Sequence, residues 1–135
     1  MNRVKSREHL LQLAYQMEIT SESALETFND FVENEEILKT DLDLAYIKSG
    51  LLGIEEHKEE LNALIEAQLV KWKLNRISKV NLSILRISTY EMLFADDVPG
   101  KVSINEAIEL CKKYSDNKSV SFINGVLDKV YKNMN

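Results

Sequence analysis

The chain has 135 residues, 44% of them hydrophobic, with four Gly, one Pro, one Cys and a formal net charge of −5. This suits one domain with its own core, and so few breakers leave little room for the turns of a β-sandwich. No apolar run approaches the roughly 18 residues of a membrane span, and Cys111 is alone, so it cannot form an intrachain disulfide.

The start, Met1-Asn2-Arg3-Val4-Lys5, runs straight into an amphipathic pattern without the apolar stretch of a secretory signal, so a cytoplasmic protein is expected. Leu10, Leu13, Ala14 and Met17 follow helical spacing and predict a first helix over 6–18, with Ser6 as N-cap and Glu8 in its first turn. Thr20 or Ser21 is expected to cap a second helix to about Asn34, buried through Ala24, Leu25, Phe28, Phe31 and Val32. Thr40 or Asp41 opens a third, with Leu44, Ile47 and Leu51 on one stripe and Gly50 and Gly53 near its end. Leu61, Leu64, Ile65 and Leu69 predict a further helix up to Trp72. A polar connection, Lys73 to Val80, precedes a helix capped by Asn81 and running to Phe94. Asp96-Asp97-Val98-Pro99-Gly100 is the clearest loop, because Pro99 disfavours helix at Val98. Ser103-Ile104-Asn105-Glu106 fits an S-x-x-E capping box opening a helix to Tyr114. A last helix from about 117–119 buries Ile123, Val126, Leu127 and Val130. The expected fold is all-α, a compact array of six or seven helices in two small sub-bundles meeting near residues 73–80, within a single domain over 1–135.

The charge is unevenly spread. Residues 1–21 carry three bases against two acids, 22–66 thirteen acids against three bases, and 71–135 eleven bases against seven acids. Both ends are basic, and an anionic ligand responds to the local field.

Catalytic constellations are poor. His9 and His57 stand far apart with no HExxH, and no phosphate-binding glycine loop occurs. Pairs such as Glu55-Glu56 and Glu59-Glu60 read as solvated helix faces, and Cys111, among Ala107, Ile108, Leu110 and Tyr114, as a packing thiol. No enzyme, cofactor or metal site is expected. Arg3, Lys5 and Arg7 sit at a helix start, where the dipole does not favour cations; they are either a solubilising tail or phosphate contacts. Tyr15 lies two turns after Arg7 on nearly the same face, either stacking on a base or packing in the core.

Three stretches carry a family resemblance. Arg7-Glu8-His9-Leu10-Leu11-Gln12-Leu13-Ala14-Tyr15 resembles the R-E-x-A-x-Q-x-L-Y opening of the Nus factor B (NusB) family of bacterial transcription antitermination proteins. Ile84-Leu85-Arg86-Ile87-Ser88-Thr89-Tyr90-Glu91-Met92-Leu93 resembles its I-L-R-x-A-x-Y-E-L-L helix. Val98-Pro99, the run Val102 to Ser115, and Phe122-Ile123-Asn124-Gly125-Val126-Leu127-Asp128-Lys129-Val130 resemble its P-x-K-V-A-I-N-E-A-x-E-L-A-K…F-V-N-G-V-L-D-K signature.

The resemblance implies two helical sub-bundles that bind boxA-type single-stranded RNA of nascent, mainly ribosomal, transcripts. The implied partners are NusE, a small-subunit ribosomal protein, and the RNA polymerase elongation complex. Related domains fused to RNA cytosine methyltransferases are larger, so the enzyme form is not expected. Carried over residue by residue, the RNA site comprises Arg3, Lys5, Arg7, Gln12, Tyr15, Arg76, Ser78, Lys79, Lys118, Ser121 and Phe122, with Phe122 either stacking on a base or packing in the core. The basic run is thinner than in better-known members, implying dependence on a partner, and Lys118 stands where relatives can carry an acid. Arg86 is expected to be buried against Glu106, Asn105 and Glu106 to cap their own helix, and Gly125 to lie under another helix, with Asn124 hydrogen-bonded to it. A protein–protein adapter with a minor RNA role, or a homodimer that conceals the RNA face, are the competing readings.

Overall fold

The computed structural model describes residues 1–71 and 73–134. Among them are seven α-helices, a 3-10 turn at Leu74–Arg76 and no strand. The helices are α1 Arg3–Thr20, α2 Ala24–Glu33, α3 Leu44–Glu56, α4 Lys58–Glu66, α5 Lys79–Phe94, α6 Gly100–Tyr114 and α7 Lys118–Asn133. The expected all-α class is the one observed. Two compact units form, Met1–Glu56 and the residues from His57 onward. Their boundary falls after Glu56 rather than near residues 73–80, because α4 packs on α5 and α7. The helix expected to reach Trp72 ends at Glu66, and Trp72 itself lies outside the described residues.

In the first unit, α1 begins earlier than its apolar spacing suggests. Asn2 is the N-cap, its side chain accepting from the Lys5 amide at 2.9 Å, while its own amide donates to the Asp41 carbonyl at 2.6 Å. Ser6, expected as the cap, is instead fully buried inside the helix. Its hydroxyl donates to the Asn2 carbonyl (2.7 Å) and accepts from the Asp43 amide (2.8 Å), tying α1 to the start of α3. Ser21, in the left-handed region at φ 63°, closes α1, and Ser23 rather than Thr20 or Ser21 caps α2 through the Glu26 amide. Asp43 caps α3 by accepting from the Tyr46 amide at 3.0 Å, in place of Thr40 or Asp41. Leu10, Leu11, Ala24, Phe28, Phe31, Ile47 and Leu51 form the core, whereas Leu25 and Val32, expected inside, are 49% and 39% exposed. Thr27 takes the inward place between Ala24 and Phe31. At Gly50 the helices α1 and α3 meet so closely that a Cβ would lie 2.7 Å from Leu10 Cδ2.

The second unit is organised around α5, which packs on α4, α6 and α7. Its apolar and small residues surround the axis, so every residue from Asn81 to Thr89 is buried, the pattern of a central rather than a surface helix. That burial takes polar side chains with it. Arg86 (5% exposed) donates from Nε to Asn62 Oδ1 of α4 at 2.9 Å, a partner the sequence did not suggest. Ser103 of α6 donates to Glu91 Oε1 at 2.7 Å and lies 2.9 Å from the Ser88 hydroxyl. Ser103 therefore opens no capping box: α6 starts at Gly100 behind Pro99, and Asn105 and Glu106 fall in its second turn. Cys111 is buried as expected, its thiol 3.4 Å from the Asp116 carbonyl, and burial pushes its pKa up. On α7, Ile123, Val126, Leu127 and Val130 all point inward.

Three stability tests follow from this packing. Leu10 is fully buried and cannot swing into solvent, so Gly50→Ala should overpack the α1–α3 contact. Allowing for the better helix propensity of Ala, the net loss should be about 1–2 kcal/mol, a fall in Tm of several degrees by calorimetry. Thr89 is fully buried, and its hydroxyl has no hydrogen-bond partner among the described residues. Thr89→Val keeps the shape and removes the unsatisfied group, so it should leave stability unchanged or raise it by up to about 1 kcal/mol, whereas loss of stability would mean that the hydroxyl is bonded. The pKa of Asp43 is held below the usual carboxylate range, first by the Tyr46 amide and then by Arg3. A depressed folded-state pKa stabilises the protein above the ordinary aspartate range, and the contribution fades as pH falls through the folded value. The stability gap between the native chain and Asp43→Ala should therefore narrow on acidification, read from urea melts at a series of pH values.

Candidate nucleic-acid interface

The proposed contacts of the first unit do not form one open basic cluster. Lys5 is exposed, while Arg3 is half-buried, 3.2 Å from Asp43 Oδ2 and 4.3 Å above the Tyr46 ring. Arg7 corrects the expectation of a free phosphate ligand: it is only 4% exposed, with its guanidinium carbon 5.5 Å from the same ring centroid. Arg7 stands three residues before Leu10 and seven before Ala14, on the stripe of α1 that packs inward. Both arginines thus share Tyr46, an attraction of ring face and cation that offsets the unfavourable dipole at this helix end. Gln12 and Tyr15 lie on the exposed side of α1, and Tyr15 at 38% exposure is not a core residue.

In the second unit the expected residues gather at two neighbouring cavities of about 370 and 360 Å³. Arg76, Ser78 and Lys118 line the first together with Asn81, Asp116 and Ser119. Ser121 lines the second, with Gln68, Leu69, Val70, Lys71, Gly125, Val126 and Lys129. Phe122, half-buried on the first turns of α7, is a wall of both. Lys79 is exposed on the first turn of α5 and lines neither.

Local chemistry fixes this surface. Ser78, not Asn81, is the N-cap of α5, accepting from the Asn81 amide at 3.2 Å. Asn81 is thereby free to reach across: its Nδ2 donates to Ser119 Oγ (2.9 Å) and its Oδ1 accepts from Ser115 Oγ (2.7 Å). Asp116 accepts from the Ser119 amide at 2.8 Å, so its carboxylate is partly used in starting α7. These bonds hold the α6–α7 turn against α5 and place Lys118 and Phe122 beside Arg76.

The first cavity can take an anion between Arg76 and Lys118, flanked by two hydroxyls. The second joins apolar walls to two lysines with no carboxylate among its lining residues. Aromatic, basic and hydroxyl groups in small concavities are what phosphates and unstacked bases require. Lys71, Lys129 and Gly125 were missed in the sequence. Lys129 stands four residues after Gly125 and seven after Phe122, so helical spacing from Phe122 would have found it. Gly125 departs from expectation, since no described atom lies within 4 Å of a Cβ built there, and Asn124 is exposed. Among the described residues no group of three His, Cys, Asp or Glu is placed to hold a metal ion, and no helix is long and apolar enough to cross a membrane.

Comparison with known proteins bears on this surface. The NusB family model matches residues 4–132. A transcription antitermination protein NusB from Clostridium perfringens is 90% identical over 134 residues, covering 99% of each chain. A solved structure of T. maritima NusB superposes with a TM-score of 0.84 at 34% identity, covering 98% of this chain and 92% of that one. A crystal structure of the antitermination factors NusB and NusE in complex with dsRNA matches with a TM-score of 0.84 at 28% identity, over 98% and 99% of the two chains. With a family match over nearly its full length and that degree of identity to a curated relative, the chain belongs to the NusB family.

Proposed function

We propose that this chain is an RNA-binding antitermination factor of the cytoplasm. It acts as a single domain over 1–135 with NusE, a small-subunit ribosomal protein. Together they hold boxA-type RNA of nascent, mainly ribosomal, transcripts and join the RNA polymerase elongation complex. The observation that carries the reading is the pair of cavities sharing Phe122, with Arg76 and Lys118 on one side and Lys71 and Lys129 on the other. A relative of the same fold crystallised with NusE and double-stranded RNA supports both partners.

Single-stranded RNA suits these cavities better than a duplex. In a duplex the base faces are covered by their neighbours, whereas an aromatic ring within a small cavity takes a base that has been splayed out. Lys5, Gln12 and Tyr15 contribute an exposed, weakly basic strip on α1. With Arg7 buried and Arg3 paired to Asp43, that strip neutralises fewer phosphates than the sequence suggests. Affinity for RNA alone is then modest, and NusE supplies the remainder.

The same thinness favours one competing reading, an adapter whose main ligand is NusE and whose RNA role is minor. Titration of a labelled boxA RNA, with and without NusE, separates the two. Phe122→Ala should lower RNA affinity by roughly 5- to 100-fold, the usual worth of one stacked base. Lys118→Ala should weaken binding to all sequences alike and reduce the slope of log K against log salt by about 0.7. Equal affinity for boxA and a scrambled RNA in the presence of NusE would refute the antitermination reading, and a stable NusE complex without any gain in RNA binding would establish the adapter.

A further inference from the structure

A glycine in mid-helix is costly, and the structure normally shows what is gained. At Gly50 the reason is packing, since Leu10 occupies the space a Cβ would need. Gly125 lies in the middle of α7 and has no such reason: the position is exposed and nothing described lies within 4 Å of a Cβ. Among the described residues nothing compensates the loss of helix propensity. Gly125 is at the same time part of the floor of the 360 Å³ cavity, beside Phe122 and Val126.

We infer that Gly125 is a binding residue: its bare backbone is the seat of one nucleobase of single-stranded RNA, stacked or edged against Phe122, with the adjoining phosphates on Lys71 and Lys129. This rests on the RNA reading proposed above and names the subsite within it. The volume falls within the range of small-ligand sites, about 300–1,000 Å³. A planar group can approach a helix closely only where no Cβ projects, which is the ordinary use of glycine at ligand-contacting backbone. The walls from Leu69, Phe122 and Val126 are apolar, as a base face requires, while Lys71 and Lys129 make the rim cationic. An acidic peptide would satisfy the lysines but would leave the flat apolar floor without a matching group. A nucleotide satisfies both.

The test uses the full chain and a fluorescently labelled single-stranded boxA RNA 12-mer, with NusE in excess, read by anisotropy. Gly125→Ala should melt at or above the native temperature and yet bind at least 5-fold more weakly; Gly125→Leu should bind at least 10-fold more weakly. The opposite signs exclude a folding defect, because only a ligand suffers when an exposed helix is improved. A second set of probes carries one abasic site at each position in turn. One abasic position should cost the native protein affinity and cost Gly125→Leu nothing further, identifying the seated base. Unchanged affinity of both variants, while the native chain binds, overturns the role of Gly125 and leaves the RNA reading standing. No binding by the native chain overturns both. Loss of affinity for NusE measured without RNA, with RNA binding through the intact complex preserved, overturns the nucleobase in favour of a protein docking site.

Discussion

The second unit depends on the burial of the middle of α5, Asn81 to Thr89 and Glu91. A helix surrounded on all sides must either be apolar throughout or bring partners for every polar group it carries inward, because an unsatisfied buried group costs about 1–3 kcal/mol. Here α5 carries Asn81, Ser83, Arg86, Ser88, Thr89 and Glu91 into the interior. Most find partners on different neighbours: Asn62 on α4 for Arg86, Ser103 on α6 for Ser88 and Glu91, and Ser115 and Ser119 at the α6–α7 turn for Asn81. Each partner lies on a particular turn of its helix, so the bonds fix register as well as contact. Apolar packing alone would tolerate a slide of one turn between α5 and α6 far better than a buried carboxylate whose hydroxyl donor had moved away.

The candidate interface is a consequence of that constraint. Asn81 is the last of the buried polar groups towards the start of α5, and it is the one that fixes the beginning of α7. Lys118 and Phe122 sit on the first turns of α7, so their position relative to Arg76 and Ser78 is set by two hydrogen bonds from one side chain. A site built this way has its aromatic ring on a turn tied to α5 and its cations on long side chains, an arrangement that suits the proposed role of presenting a ring to a base while cations follow a phosphate chain.

Helical spacing alone made much of this architecture legible. The four inward residues of α7, the loop before Pro99 and the ends of α5 and α6 at Phe94 and Tyr114 stand where the periodicity puts them. The N-terminal caps were read less well, and at two of them the reason is that the hydroxyl is taken up elsewhere. Ser6 and Ser103 have the residue type and local sequence of caps, but each hydroxyl is used in the core, with Asp43 and Glu91 respectively. A side chain that can bond locally can equally bond a residue forty positions away, and sequence spacing cannot distinguish the two. Arg7 lies on the same inward stripe as Leu10 and Ala14, three and seven residues on, so its burial follows from helical spacing that the resemblance overrode. The candidate surface was legible as a resemblance, while the groups that hold Arg3 and Arg7, Asp43 and the Tyr46 ring, needed coordinates.

Net charge is a poor guide to this surface, because charges beyond about 8 Å are largely screened at physiological salt. A ligand in the two cavities is governed by Arg76, Lys118, Lys71 and Lys129, with Asp116 as the opposing charge. Four cations can neutralise about four phosphates, giving binding that is appreciable at low salt and falls steeply as salt rises. Such a field attracts any polyanion and cannot by itself choose among sequences. Selectivity has to come from groups able to meet bases, and among the residues lining these cavities the proposed ones are Phe122 and the open backbone beside it. The acid-rich stretch from 22 to 66 has a complementary meaning: it repels nucleic acid in general and favours a basic protein. Weak cationic cavities together with a strongly acidic segment therefore fit the proposed sharing of RNA with a basic partner better than they fit a chain that holds RNA alone.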